Sequence, residues 1–173
     1  MKSVLAAVLF AASALAQNNP ALAPAQGACG PLNVNFDATT SASQPAAQPE
    51  PGKALVYVAE EFKKAPGELG NPTIRVGLDG AWMGATRANS YLFFSVNPGE
   101  HHLCTNWQSR LKRFSQLIGL AHLTAEPGQT YYFRARTTVY QGGPAYLDLD
   151  RLDPDEGRYL VSLFLLSKSH PKK

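Results

Sequence analysis

Between Thr130 and Tyr140 the side chains take turns in character: Tyr131, Phe133, Ala135, Thr137 and Val139 share one parity, and Thr130, Tyr132, Arg134, Arg136 and Thr138 the other. Successive side chains leave a strand on opposite faces, so a period of two is what a half-buried strand requires; an amphipathic helix would need apolar residues three and four apart. The same period sets Ile74, Val76 and Leu78 against Thr73, Arg75 and Gly77, and Leu147 and Leu149 against Asp148 and Asp150. Leu55 to Val58 is apolar at every position, as in a central strand covered on both sides. From Lys53 onward, strands dominate.

Turn chemistry divides these strands. Asp79-Gly80 is a strong short hairpin signal and joins residues 73–78 to 81–87. Asn97-Pro98-Gly99 predicts a second hairpin between Ser90–Val96 and Glu100–Trp107, and Glu126-Pro127-Gly128-Gln129 a third between Gly119–Thr124 and Thr130–Tyr140. Pro66-Gly67 and Asn71-Pro72 break a charged loop, Gly142-Gly143-Pro144 breaks the chain before Ala145, and residues 108–117 follow neither period and read as a loop or short irregular excursion. Asp153-Pro154-Asp155-Glu156 has the makings of a helix start: a capping Asp, Pro at the first position and acidic residues at the positive end of the dipole. Gly157 weakens that helix, and periodicity does not decide whether Tyr159 to Leu166 continues it or forms a final buried strand. The expected fold is all-β: a single antiparallel β-sandwich of about seven or eight strands with one short C-terminal helix, over residues 53–170.

The preceding residues read as an address and an arm. Lys2, the apolar stretch Val4 to Leu15 and the small-x-small end Ala14-Leu15-Ala16 have the form of a secretory signal peptide, residues 1–16, cleaved after Ala16. The stretch is short for a spanning helix, so no integral membrane span is expected in the mature chain, which is placed as secreted or periplasmic. Cys29 lies too far beyond the apolar stretch to serve as a lipid-attachment cysteine. Residues 17–52 form an N-terminal arm and a linker rich in Pro and Ala, with residues 38–52 extended and weakly ordered. Within the arm, Leu32, Val34 and Phe36 alternate as in a short strand.

In an oxidising compartment the two cysteines, Cys29 and Cys104, have an obvious use in each other. A disulfide between them closes 75 positions and is worth up to about 4.5 kcal/mol in the loop-entropy picture. In Glu100–Trp107, Leu103, Thr105 and Trp107 share one parity and Cys104 the other, polar one, so Cys104 is expected to face outward and the bond to strap the arm across the outside of the sheet.

Composition excludes more than it selects. The chain has 173 residues, 17% charged, with a formal charge of +3, enough length for a core and too few charges for a disordered polymer. No Gly-rich phosphate loop is present, which argues against nucleotide enzymes. His101-His102 beside Cys104 fails as a metal cluster because neighbouring strand residues point to opposite faces. Asp148, Asp150, Asp153, Asp155 and Glu156 lack calcium-loop spacing, and two of them suffice as helix-start residues. Arg110, Lys112 and Arg113, with Lys168, Lys172 and Lys173, read as a solvated loop and tail, too small a footprint for nucleic acid. Tyr132, Arg134, Arg136 and Tyr140 combine the residue types favoured at binding surfaces and form the candidate contact face, with cross-strand stacking as the plainer reading. No catalytic arrangement, metal site or cofactor is expected.

Four segments carry a resemblance: Lys53-Ala54-Leu55-Val56-Tyr57-Val58; Val76-Gly77-Leu78-Asp79-Gly80 with Gly84; Ser95 to His101; and Ala125 to Arg134. The chain is similar there, over roughly residues 53–160, to the bacterial exported-domain family catalogued as domain of unknown function two-eight-four-six. The resemblance implies a β-sandwich of the transthyretin-like or surface-layer-repeat kind, usually in the envelope, with no established activity and no functional residues to carry over. Many members look like lipoproteins, and this sequence departs from them in lacking the lipid box.

The functional expectation is an exported, non-catalytic binding module whose partner is an envelope protein or glycan. One alternative is a small hydrolase or metal-dependent enzyme using His102, Asp148 and Asp150; another is a purely structural periplasmic protein.

Overall fold

A computed structural model describes residues 27–63, 71–140 and 143–173. The expected signal peptide with its cleavage after Ala16, the Pro66-Gly67 breaker and Gly142 lie outside the described residues. In chain order the elements are β1 (Phe36–Ser41), β2 (Ala54–Phe62), β3 (Thr73–Leu78), β4 (Ala81–Arg87), β5 (Ser90–Val96), β6 (Gly99–Trp107), α1 (Lys112–Ser115), β7 (Ile118–Ala125), β8 (Thr130–Val139), β9 (Ala145–Leu152), α2 (Pro154–Leu163) and β10 (Leu165–Pro171). Among the described residues no helix is long and apolar enough to cross a membrane.

The fold is mostly β, in two sheets. Six strands run in the order β1-β10-β5-β2-β8-β9, and four in the order β4-β3-β6-β7. Their facing sides share one apolar core: Val56, Val58, Leu92, Phe133, Leu147 and Leu149 from the larger sheet meet Ile74, Val76, Leu103, Trp107 and Leu123 from the smaller. The alternation in β8 and β9 points inward as its parity predicts, with Tyr131, Phe133 and Ala135 buried and Asp148 and Asp150 exposed. The apolar run of β2 is explained by burial on both faces. Val56 and Val58 enter the main core, while Leu55, Tyr57 and Ala59 join Tyr91, Leu152 and Leu160 in a second cluster beneath α2. The helix starts as its sequence directs, with Asp153 accepting a hydrogen bond from the Asp155 amide and Pro154 in the first turn. Gly157 proves to be a packing requirement, since a Cβ there would collide with the Tyr132 ring.

Four features differ from the sequence reading. Among the described residues there are ten strands, because β1 occupies part of the supposed linker and β10 forms where a solvated tail was expected; the two pair antiparallel, with Phe36 opposite Pro171 and Ser41 opposite Leu166. The alternation at Leu32, Val34 and Phe36 is not itself a strand, which begins only at Phe36. The larger sheet is mixed, since β2 and β8 run parallel, as do β5 and β10. Parallel neighbours need long crossovers, and the whole smaller sheet lies between β2 and β8 in the chain.

Last, of the three expected hairpins only the one at Asp79-Gly80 forms; β8 and β9, on either side of the 140–144 break, pair antiparallel as neighbours in the chain. The Asn97-Pro98-Gly99 turn carries the chain from β5 in the larger sheet to β6 in the smaller, and the Glu126–Gln129 turn returns it from β7 to β8. Apolar on both faces, β2 lies between β5 and β8, which leaves β6 and β7 to pair with each other. The second arch is fastened to the start of β2: Gly128 donates to the Lys53 carbonyl at 2.8 Å and Leu55 to the Gln129 carbonyl at 2.9 Å.

An ionisable side chain interrupts the core. Glu60 has the inward parity of Val56 and Val58, is fully buried, and lies in register with Ser90 and Ala135. Among the described residues neither carboxylate oxygen has a hydrogen-bond partner. The nearby Thr86 hydroxyl already donates to the Ile74 carbonyl. Burial pushes the Glu60 carboxyl up to about 8, against the smaller opposing influence of Thr86 and the Ala88 backbone. The unfolded chain releases this proton from about 4.5, whereas the folded chain keeps it to about 8, so the unfolded state binds fewer protons in between and stability falls as pH rises. Denaturant unfolding should lose up to about 1.4 kcal/mol per pH unit across that window. Glu60→Gln should flatten the profile and stabilise the protein at pH 8, and an unchanged slope in the variant would contradict this assignment.

Candidate functional site: a basic cleft beneath the N-terminal arm

From Ala28 to Phe36 the chain lies across the outer face of the smaller sheet. Cys104 stands in register with Gly77 on β3, on the side of β6 opposite to Leu103 and Trp107, so it faces away from the main core as its parity predicts. It is nevertheless 0% exposed, because the arm covers it. Cys29 and Cys104 lie at disulfide distance, with Cα atoms 5.2 Å apart. Gly77 permits this approach: a Cβ there would stand 2.8 Å from the Ala28 carbonyl oxygen. Further along, Gly80 donates to the Ala28 carbonyl at 3.1 Å and the Trp82 indole to the Pro31 carbonyl at 2.8 Å. The Gln108 amide grips the Phe36 backbone on both sides, accepting at 2.6 Å and donating at 2.9 Å.

Arg75 lies beneath this arm. It is 3% exposed, and burial pushes its pKa down. Its guanidinium donates to the Leu32 carbonyl at 3.0 Å, the Val34 carbonyl at 2.7 Å and, through Nε and Nη2, to Asn106 Oδ1. The Trp82 ring sits 4.7 Å from it, a cation–π contact. Asn106 is held in turn by the Ser115 and Leu117 carbonyls, each 2.9 Å from its amide nitrogen. All these partners are neutral, and among the described residues no carboxylate lies within ion-pair distance of Arg75. Buried charges are ordinarily paired, so this one is an exception that needs a reason.

Arg75 opens onto a cleft of about 570 Å³. Leu32 and Asn35 of the arm form one wall, Gln108, Ser109, Arg110 and Ser115 another, and Lys172 closes the side beyond β10. Among the described residues the lining holds three cations and no carboxylate; Asp37 reaches Lys172 from outside at 3.0 Å. The fold therefore brings together Arg110 and Lys172, from the two basic patches that the sequence presented as an unrelated loop and tail. Arg75, Asn106 and Gln108 were missed. The signal was available: Arg75 and Gly77 share the parity that the expected arm had to cover.

The other candidates lie away from this cleft, and Tyr132, Arg134 and Arg136 share the face of β8 opposite to the main core. Tyr132 stacks on Tyr57, ring centres 5.1 Å apart, beneath α2. Arg134 pairs with Glu156 at 2.7 Å and lies 3.7 Å from Glu61, and Arg136 reaches Glu61 at 3.3 Å. Tyr140 is exposed, edge-on to Tyr146. His102 lies on β6 of the smaller sheet, packed against His122, whereas Asp148 and Asp150 lie on the outer side of the larger sheet, so the three do not converge. Among the described residues no three His, Cys, Asp or Glu side chains gather as a metal site. His101 joins two turns, its ring nitrogens 2.6 Å from the Asp79 carboxylate and 2.7 Å from the Asn97 carbonyl. Burial disfavours its charge, but these two acceptors outweigh it and raise the His101 pKa.

The pairing of Cys29 with Cys104 has a direct check. Titration of the denatured, unreduced protein should find no free thiol, and two thiols would refute the bond. Replacing both cysteines by Ser should lower stability by up to about 4.5 kcal/mol and raise amide exchange at Gly80, whose partner belongs to the arm.

No curated protein and no solved structure matches the chain. One protein family does, over residues 50–144, from just before β2 to just before β9. That span is more than half of the chain and holds β3 and β6, which supply Arg75 and Cys104, while Cys29 and Lys172 fall outside it. The chain belongs to the family described as Protein of unknown function (DUF2846).

Proposed function

We propose that the protein is an exported, non-catalytic β-sandwich module of the bacterial envelope, of transthyretin-like kind, which takes its ligand in the cleft beneath the arm. The single observation that carries this reading is the cleft itself: about 570 Å³ of concave, polar surface floored by the buried Arg75. Ligand sites are concave, largely pre-formed and few in a protein, and they carry a small number of placed polar groups. The arm, tied by a cysteine pair at disulfide distance and by hydrogen bonds from the body to its backbone at Ala28, Pro31, Leu32, Val34, Asn35 and Phe36, gives the wall such rigidity. A pair of cysteines at that distance is compatible with an oxidising destination.

A hydrolase reading based on His102, Asp148 and Asp150 is disfavoured by their separation on different sheets.

The test uses the exported protein and one variant. Asn35 is exposed at the cleft wall, so Asn35→Trp should fill the opening without disturbing the fold. Immobilised wild type should retain an envelope component that the variant, melting at the same temperature, does not. Equal retention by both, or retention by neither across salt conditions, would overturn the reading.

A further inference from the structure

We infer that the cleft is a seat for a divalent tetrahedral oxyanion of the phosphate-monoester class. The inference rests on the binding-module reading above and adds the chemistry of the ligand. Its first support is charge. Arg75, Arg110 and Lys172 line the cleft, and among the described residues the one carboxylate paired with any of them, Asp37, offsets Lys172 alone. Two positive charges are left over, which a dianion balances and a single carboxylate does not.

The second support is the state of Arg75. Its Nε, Nη1 and Nη2 groups already serve neutral oxygens, so it stays in place whether or not a ligand is present. A fixed cation in a partly desolvated floor attracts an anion far more strongly than a mobile surface lysine does, and at no cost of rearrangement. Arg110 and Lys172, both exposed, are then the groups that close on the oxygens.

The third is shape. Among the described residues the lining contains no aromatic ring, only Leu32 as an apolar residue, and the amide and hydroxyl side chains of Asn35, Gln108, Ser109 and Ser115. Nothing there stacks on a base or a sugar ring, so recognition falls on the anionic group itself. The same group is carried by free phosphate, a phosphorylated glycerol or sugar, and an anionic lipid headgroup.

Calorimetric titration of the oxidised full-length exported protein with inorganic phosphate, with glycerol phosphate, and with phosphatidylcholine vesicles containing phosphatidic acid separates these sources. Saturable binding to at least one is expected, weakening as salt rises. Arg110→Ala and Lys172→Ala should each reduce affinity roughly tenfold. Lys63→Ala, which removes an equal charge outside the cleft, should change affinity less than about twofold. Binding by the vesicles alone identifies a lipid source and supports the class. Absence of binding to all three, equal loss in Lys63→Ala, or binding to citrate but to no phosphate would overturn it. If all three phosphate probes fail while Asn35→Trp still abolishes retention of an envelope component, the oxyanion class is wrong and the module reading stands.

Discussion

A strand with no polar face constrains everything built around it. β2 buries one side in the main core and the other beneath α2. Its backbone donors and acceptors must be matched on both edges, because an unpaired amide in such surroundings is costly. β5 and β8 supply those edges. Once they are committed, the smaller sheet has to be assembled from β3, β4, β6 and β7, and the turns around Pro98 and Pro127 have to become arches between layers. The helix is drawn in by the same need, since without it Tyr57, Tyr91 and Tyr132 would present a broad aromatic patch to water.

Strand positions were legible because parity is a local property. The alternation in β8, the outward aspartates of β9, the Asp79-Gly80 hairpin and the cap at Asp153 were all readable from a few neighbouring residues. Pairing was not, because a Pro-Gly turn has the same chemistry whether it closes a hairpin or crosses between sheets. β1 and β10 were hidden for a related reason. Each is short, polar in composition and stabilised mainly by the other, so neither carries a signal of its own; the Ala85 backbone bonds to Ser167 and Ser169, contacts that no local pattern announces. The candidate site was half legible: the cysteine pair and the outward parity of Cys104 were available, whereas the meeting of Arg110 with Lys172 depends on where the two ends of the fold come to rest.

The arm and Arg75 support each other. The guanidinium is tolerable in its buried position because the arm offers two carbonyl oxygens and Trp82 a ring face; the arm is ordered there because the guanidinium, Gln108 and Cys104 hold it. Glu60 is a contrasting case, a polar group in the core with no such partners. Held neutral by its surroundings, it costs less than an ionised carboxylate would.

The pairing of β1 with β10 also bears on how quickly the molecule can form. Thr39 and Lys168, which touch across that ladder, are 129 positions apart, and contacts between such distant segments are among the slowest to be made. Until they meet, β5 keeps a free edge beside Tyr91, where only a brief parallel stretch of β10 will eventually lie. A chain delivered unfolded to its destination would pass through that open-edged stage before the ends zip together, and its susceptibility to misassociation is greatest there.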